Sequence, residues 1–262
     1  MPGGAPTPAI LLPGIDGSGR LFAPLLAARP RHLAPEIVSF PPGEPLGYDA
    51  LLDHVRAALP SRRFLLVAES FSGPLAVRLA AERPRGLAGL VLAAAFLHRP
   101  LHPLLHPIRG LVGARLFGFP MPAALVRHFM AGPDAPDALV REVQAAVGAA
   151  TPEVMAHRAL EALRADVRAD LGRVAVPVLV LAPARDRLIR ADVGDEILTL
   201  RPDAEVVRVD APHMILQRAP HACLAHIEEL AARTARPPVA RTGGAAGATS
   251  PASRRRRGPH PP

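Results

Sequence analysis

The 262-residue sequence contains no tryptophan, no lysine and a single cysteine, and aromatic residues make up only 3% of it. A single cysteine excludes an internal disulfide framework. Cys223 falls on an apolar stripe with Leu224 and Ile227, which predicts a small buried side chain rather than a catalytic thiol. Because aromatic residues are scarce, the core must be built from leucine, valine and alanine. An apolar content of 49% is ample for one large domain.

Long apolar runs are also missing. The longest, from Leu87 to Phe96, is far shorter than the ~20 residues of a membrane-spanning helix, and it predicts a buried strand. Residues 1–6 lack the basic start and the apolar core of a signal peptide. We therefore expect a cytoplasmic protein with no stable membrane insertion.

The net charge of +8 is concentrated at the C-terminal end. Seven arginines and no acid follow Ala232, so residues 1–232 carry a net charge of only about +1 and offer no basic field for nucleic acid. Residues 233–262 are mainly Ala, Arg, Pro, Gly, Ser and Thr without periodicity, which predicts a disordered basic tail. We expect one folded domain over residues 1–232 and no nucleic-acid partner.

Strand and helix signals alternate along the folded part. Apolar runs predict strands at Pro8–Leu12, Glu36–Phe40, Phe64–Ala68, Leu87–Ala94, Val176–Leu181 and Glu205–Val209. Periodic segments predict helices at Leu21–Ala28, Asp49–Leu59, Ser72–Glu82, Ala191–Leu200 and Leu216–Ala232. This alternation predicts an α/β fold with a doubly wound, mostly parallel sheet of about six strands.

Residues 97 to about 170 interrupt the alternation as one long insertion. The segment from Leu101 to Met130 is unusually apolar, and Met155 to Leu171 has the spacing of an amphipathic helix. Two roles are open for the apolar segment: packing onto the body of the domain, and lining a pocket for an acyl or alkyl chain. The second role predicts a preference for medium or longer acyl chains over acetate.

Ser70 stands where an apolar run ends and a helical pattern begins. Small residues, Ala68 and Ser72, lie two positions away on either side, as a sharp strand-to-helix turn requires. This arrangement is typical of a nucleophile elbow, which holds a serine hydroxyl above the sheet. Ser72 is the rival nucleophile, but Pro74 would then flank it and crowd the turn.

Asp186 and His213 each follow a predicted strand, so the chain order is Ser70, Asp186, His213. A histidine base can activate a serine, and a carboxylate can orient the imidazole. Other residues of the same types compete for these roles. Asp192 and Asp195 fall inside the following predicted helix, and His221 and His226 fall in the last one, where surface or packing roles are expected.

Three histidines, His98, His102 and His106, are spaced by four, as metal ligands on a helix would be. The prolines between them prevent a regular helix, and no carboxylate lies nearby in sequence. We expect no metal and no cofactor. Glu69 and Asp16 are polar residues beside the predicted pocket, and either one could orient loops or touch substrate.

The strand and glycine-rich loop at residues 9–19, the elbow at Ser70 and the order Ser70, Asp186, His213 together resemble the α/β-hydrolase superfamily over about residues 7–232. The resemblance implies that the insertion is a helical cap and that the backbone N–H groups of Ile15 and Phe71 form an oxyanion hole. It also implies a serine esterase that cleaves a small-molecule ester or thioester through an acyl-enzyme.

Two motifs indicate a more specific resemblance within this superfamily. The loop from Leu12 to Gly19 and the stretch from Glu69 to Phe71 are similar to plant esterase/lipase-like acyltransferases that make phytyl esters, which favours a lipid-like acyl substrate. Acyl transfer to an alcohol and a non-catalytic binding module are the alternative functions. Haloalkane dehalogenation is disfavoured because it needs a carboxylate where Ser70 stands.

Overall fold

The structure, a computed structural model, describes residues 6–100 and 113–235. Six strands form one parallel sheet in the order β2-β1-β3-β4-β5-β6. The strands are β1 (Thr7–Leu12), β2 (Leu33–Ile37), β3 (Phe64–Glu69), β4 (Leu87–Ala93), β5 (Val178–Pro183) and β6 (Glu205–Val209). The prediction of a doubly wound sheet of about six strands is confirmed.

Helices cover both faces of the sheet. Up to β4 they are α1 (Ala23–Ala28, after a 3₁₀ turn at Arg20–Phe22), α2 (Tyr48–Ala57) and α3 (Ser72–Ala81). Between β4 and β5 lie α4 (Ala114–Phe117), α5 (Ala123–Leu125), a π-helical turn (Val126–Ala131), α6 (Asp137–Gly148), α7 (Pro152–Arg164) and α8 (Arg168–Leu171). The last are α9 (Val193–Leu200), α10 (Ile215–Arg218) and α11 (Pro220–Ala235).

Each face of the sheet carries its own apolar layer. Helices α2, α3 and α9 pack on one face, against strand residues such as Leu66 and Leu90. Helices α1, α10 and α11 pack on the other, against Leu65 and Val91. Adjacent strand residues thus point to opposite layers, and both are buried, which is why the strands are apolar throughout.

Strand β2 differs most from its prediction, since it spans Leu33–Ile37 rather than Glu36–Phe40. Pro35 lies inside β2, although proline cannot donate to a ladder of hydrogen bonds. However, β2 is the edge strand, paired with β1 alone, so the missing N–H costs nothing there. The predicted final helix is also divided, because Pro220 starts α11 and separates it from α10.

The described residues between β4 and β5 are mainly helical, and the predicted amphipathic stretch from Met155 to Leu171 falls on α7 and α8, which are separated by residues 165–167. Thr151 caps α7, its hydroxyl accepting a hydrogen bond from the N–H of Val154 at 3.3 Å. Much of the apolar stretch, residues 101–112, lies outside the described residues, together with His102 and His106. Of the rest, Leu116 and Phe119 are exposed, whereas Met130 reaches the cavity beside Ser70.

Helix α11 runs three residues past the predicted boundary at Ala232. Thr234 is buried, and its hydroxyl donates to the carbonyl of Leu230 at 2.9 Å. Residues 233–235 thus continue α11, and residues 236–262 lie outside the described residues. Among the described helices, no long apolar one that could cross a membrane is found.

Candidate active site

Ser70 occupies a tight turn between β3 and α3. Its φ of 50° lies in the left-handed region, which is unfavourable for a residue with a side chain and is typical of functional sites. The N–H of Ser70 donates to the carbonyl of Ala93 at 2.9 Å, and its carbonyl accepts from Gly73 at 2.9 Å. A Cβ on Gly73 would lie 2.6 Å from that of Ala95, so only glycine allows α3 to begin this close to the segment that follows β4.

Three of the predicted residues form one hydrogen-bonded chain. The Nδ1 atom of His213 lies 2.8 Å from Oδ2 of Asp186, and its Nε2 atom lies 3.0 Å from Oγ of Ser70. The loops that carry these residues follow β5, β6 and β3, whose carboxyl ends meet at one edge of the sheet. The side chains of Asp186 and His213 are each only 5% exposed, which shields their contact from water.

The carboxylate of Asp186 is fixed by its own loop. Its Oδ1 atom accepts hydrogen bonds from the N–H groups of Leu188 at 2.8 Å and Ile189 at 2.9 Å, which leaves Oδ2 for His213. Burial lowers the pKa of His213, but the charge and the hydrogen bond of Asp186, helped by the charge of Glu69, outweigh it. The pKa of His213 is therefore raised above its ordinary value.

The rival residues are engaged elsewhere. Ser72 is fully buried, and its hydroxyl donates to the carbonyl of Pro13. Asp192 pairs with Arg190 and Asp195 with Arg208. His221 and His226 lie on α11, and His98 pairs with Glu196 at 3.1 Å.

The loop after β1 supplies Ile15, and the elbow supplies Phe71. Both residues lie outside the regular elements, and neither N–H donates a hydrogen bond to another described residue. The carbonyl of Phe71 accepts a hydrogen bond from the hydroxyl of Tyr48 at 2.8 Å, and the two rings stack with centroids 4.9 Å apart. The turn after Ser70 is thus held from the α2 side, and both N–H groups are available to an incoming oxyanion.

Arg158, on α7, is a buried residue that the sequence reasoning missed. Its Nη1 atom donates to the carbonyls of Ile15 at 3.0 Å and Asp16 at 2.9 Å, and its Nη2 atom donates to that of Pro41 at 2.9 Å. Burial lowers the pKa of Arg158, and the charge of Asp16 partly opposes this effect. A Cβ on Gly17, whose φ is +70°, would lie 2.4 Å from Nη1, so a glycine is needed to admit the guanidinium.

One signal could have found Arg158. The buried face of α7 carries Val154, Met155, Arg158 and Ala162, so a charged residue stands on an otherwise apolar stripe. Two leucines of the same helix, Leu160 and Leu163, are only half-buried.

A cavity of about 50 Å³ opens beside Ser70 and His213. Most of its wall is apolar, formed by Ile15, Leu21, Met130, Val147, Leu188 and Met214. Leu21 and Met214 also pack against α6 and the π-helical turn, so the helices between β4 and β5 close the cavity from above the sheet edge.

The remaining wall is polar. It is formed by Asp16, Glu69 and Gln217. The Nε2 atom of Gln217 donates to Oε2 of Glu69 at 3.2 Å, and the Oε1 atom of Gln217 is buried without a hydrogen-bond partner among the described residues. Burial raises the pKa of Glu69 to about 7, although the hydrogen bond from Gln217 and the charge of His213 oppose the shift. Gln217 carried no signal in the sequence that pointed to this position.

One group among the described residues has the composition of a metal site. Glu205, His226 and Glu229 place their possible ligand atoms within 4.8 Å of one another. Arg233 already pairs with Glu205, and the group lies at the start of β6, the opposite end of the sheet from Ser70. It is therefore separate from the candidate active site.

Comparison with known proteins agrees with this geometry. The sequence profile of the Alpha/beta hydrolase family matches residues 9–226. A hydrolase from Oleispira antarctica shares the fold with a TM-score of 0.74 and 14% identity, over 87% of this chain and 91% of that one. The carboxylesterase CesB from Bacillus subtilis gives a TM-score of 0.66 and 17% identity, over 88% and 85%. At identities this low, the two structures show a similarity of fold only.

One curated sequence is similar over a long stretch. The polyketide synthase ThaQ of Burkholderia thailandensis is 30% identical over 234 residues, which cover 79% of this chain. The chain spans only 11% of the length of that protein. The match of the family profile over most of the chain, together with the fold, shows that this chain belongs to the alpha/beta hydrolase family.

Proposed function

We propose that this protein is a serine hydrolase that cleaves a carboxylic ester or thioester through an acyl-enzyme. The observation that carries the proposal is the unbroken hydrogen-bonded chain from Asp186 through His213 to Ser70. Ser70 is the nucleophile, His213 the general base and then the general acid, and Asp186 the residue that orients the imidazole.

In the first half-reaction, Oγ of Ser70 attacks the carbonyl carbon of the substrate while Nε2 of His213 takes the hydroxyl proton. The carbonyl oxygen becomes an oxyanion, for which the N–H groups of Ile15 and Phe71 are the proposed donors. When the oxyanion collapses, the bond to the leaving alkoxide or thiolate breaks, and His213 returns the proton to that group. The acyl group is then bound as an ester to Ser70.

In the second half-reaction, water gives a proton to His213 and attacks the acyl carbon. Collapse of the second oxyanion releases the carboxylic acid and returns the proton to Ser70. Because Nδ1 of His213 faces Asp186, the imidazolium formed in both steps is stabilised by a fixed carboxylate. No group beyond the described residues is required for the balance of protons.

We further propose that the helices between β4 and β5 act as a cap and that an apolar acyl group occupies the cavity beneath it. The support is the mainly apolar wall of that cavity and its position beside Ser70. For this site the sequence predicts an acyl group of medium or longer chain.

The thioester option is kept because of the similarity to a stretch of the polyketide synthase ThaQ. Ester and thioester substrates, which differ in their leaving group, are distinguished by measuring kcat/KM for a butyryl ester and the matching butyryl thioester. The attacking acceptor is tested by adding a primary alcohol, which diverts the product to a new ester only if the protein is an acyltransferase.

The basic test is turnover of p-nitrophenyl butyrate by wild type, Ser70→Ala and Ser72→Ala. We expect Ser70→Ala to lose at least about 10³-fold in kcat, since the nucleophile is gone. Ser72→Ala keeps the nucleophile and is the matched control. Equal turnover by wild type and Ser70→Ala would contradict the proposal, and absence of turnover across esters and thioesters would favour the binding-module alternative.

A further inference from the structure

Gln217 is buried in the cavity wall with half of its amide unused. The residue is only 7% exposed, and its Oε1 atom has no hydrogen-bond partner among the described residues. Its Nε2 atom is committed to Glu69 at 3.2 Å. A buried acceptor without a partner is unfavourable, and in native proteins it usually has a reason, such as a ligand that completes it.

The position of this acceptor is what makes it informative. Gln217 and Glu69 line the same cavity as Ser70 and His213, and the opposite walls are apolar. An acyl group bound to Ser70 would enter this cavity, beside the amide of Gln217. A purely apolar acyl group would then leave Oε1 of Gln217 permanently unsatisfied, whereas an acyl group with one hydrogen-bonding atom would satisfy it.

The protonation state of Glu69, the hydrogen-bond partner of Gln217, decides which substrate groups can bind to the amide. When Glu69 is ionised, the amide must turn its N–H toward the carboxylate, and an oxygen acceptor is left for the substrate. When Glu69 is protonated, which its raised pKa of about 7 favours, the amide can turn around and offer an N–H donor. A hydroxyl is both donor and acceptor, so it fits either arrangement, while a carbonyl or an ammonium fits only one.

We infer that Gln217, supported by Glu69, forms a polar subsite that selects an acyl group carrying a hydroxyl. This inference rests on the proposed function, because it takes the reaction at Ser70 as given and names the acyl class. A 3-hydroxybutyryl group is a suitable probe of the subsite, because the butyryl group is its apolar counterpart.

The alternative explanation is that the side chain of Gln217 only fills space between two cavities. Together with Leu21 it borders both the cavity beside Ser70 and a larger, mainly apolar groove of about 350 Å³ lined by α6 residues such as Leu139. Such a role needs a side chain of this size but no polar group. Methionine has nearly the length of glutamine and lacks the amide, so Gln217→Met separates the two roles.

The experiment compares kcat/KM for p-nitrophenyl 3-hydroxybutyrate, as separate enantiomers, with that for p-nitrophenyl butyrate. Both values are divided by the rate of alkaline hydrolysis of the same ester, which removes the difference in intrinsic reactivity. We expect wild type to prefer one hydroxylated enantiomer by about tenfold, the usual effect of one well-placed hydrogen bond in a buried site.

The readout is the ratio of the two normalised kcat/KM values, hydroxybutyrate ester over butyrate ester, and not the absolute rate. It should fall to near one in Gln217→Met and stay at the wild-type value in Gln144→Met, since Gln144, the other glutamine of the sequence, donates to the carbonyl of Met121 at 2.7 Å and does not line the cavity. A wild-type ratio near one overturns the inference even if Gln217→Met fails to fold. A high ratio that survives in Gln217→Met also overturns it.

These outcomes are distinct from a failure of the proposed function. If wild type hydrolyses neither ester, or if Ser70→Ala hydrolyses both at the wild-type rate, the reaction at Ser70 is wrong and the inference falls with it. If Ser70→Ala is inactive but the ratio is near one, the serine hydrolase stands and only the polar subsite is rejected.

Discussion

Arg158 donates a hydrogen bond to the carbonyl oxygen of Ile15 at a distance of 3.0 Å. The bond joins α7, which lies between β4 and β5, to the residue whose N–H is a proposed oxyanion donor. The same guanidinium holds Asp16 and Pro41, and it lies over the ring of Phe40 with 5.6 Å to the ring centroid. Helix α7 thus fixes the shape of the loop that carries this proposed donor.

Replacing Arg158 by methionine tests this link. We expect kcat to fall by about 10- to 100-fold while KM changes less, because a misplaced oxyanion donor weakens binding of the transition state rather than of the substrate. Thermal stability should also fall, since three carbonyls lose their donor. Arg164→Met, in the same helix but exposed, with only a 3.9 Å ion pair to Glu161, is the matched control. An unchanged kcat for folded Arg158→Met would show that the residue is structural only.

The pairing of Asp186 with His213 predicts the pH dependence of the reaction. The base works only when neutral, and its pKa is raised, so kcat/KM should rise through an acid limb centred above about pH 6.5, the ordinary histidine value. Asp186→Asn removes the main group that raises this pKa. The limb should move to lower pH, and kcat should fall by a factor on the order of 10³–10⁴, as in other triads.

Asp192→Asn is the control for this experiment, since Asp192 is exposed and pairs with Arg190. It should leave both the limb and kcat at wild-type values. A shift of the limb in Asp192→Asn, with none in Asp186→Asn, would move the acid role to Asp192.

Glu69 predicts a second pH effect, on stability. Its pKa is raised from 4.5 to about 7 in the folded state, so between these values the folded protein binds more protons than the unfolded one. The free energy of unfolding should therefore fall as the pH rises from about 4.5 to 7 and then level off. Glu69→Gln should not lose stability in this way. The difference in free energy of unfolding between wild type and Glu69→Gln should therefore change by on the order of 2–3 kcal/mol over that pH range.

Chemical denaturation of both proteins at several pH values from 4.5 to 8 measures the change. Titrating groups that do not interact with Glu69 contribute equally in both proteins, so subtraction removes their contributions. Parallel stability curves would mean that Glu69 ionises normally inside the fold.

The end of the folded domain is testable by two truncations that differ by three residues. A chain that stops after Ala235 should keep its thermal stability within about 0.5 kcal/mol, the usual size of a surface change. A chain that stops after Ala232 loses the buried Thr234 and the ion pair of Arg233 with Glu205, and should be less stable by roughly 1 kcal/mol. Equal stability of the two chains would place the boundary at Ala232, as the sequence predicted.

The sheet and the residues around Ser70 were predictable because their signals are local. Each strand is an apolar run buried on both faces, and Ser70, Asp186 and His213 each follow one of these runs. Parallel strands bring their carboxyl ends together, so three residues far apart in sequence were expected at one edge.

The parts that escaped prediction depend on tertiary contacts. Pro35 is tolerated because β2 is an edge strand, and the sequence does not show which strand is at the edge. Arg158 is buried because three loop carbonyls converge on it, and Gln217 is buried in the cavity wall, where it donates to Glu69. These hydrogen-bond partners lie more than a hundred residues away in sequence, and no pattern around Arg158 or Gln217 encodes them.

The central claim is that Ser70 is the residue that becomes acylated. A fluorophosphonate probe reacts with an activated serine, loses fluoride and leaves a stable phosphonyl ester, whose position is read by peptide mass spectrometry. The account predicts one labelled residue, Ser70, in wild type and in Ser72→Ala, no labelling of Ser70→Ala, and strongly reduced labelling of His213→Ala. Equal labelling of wild type and Ser70→Ala, or a label on Ser72, would contradict it.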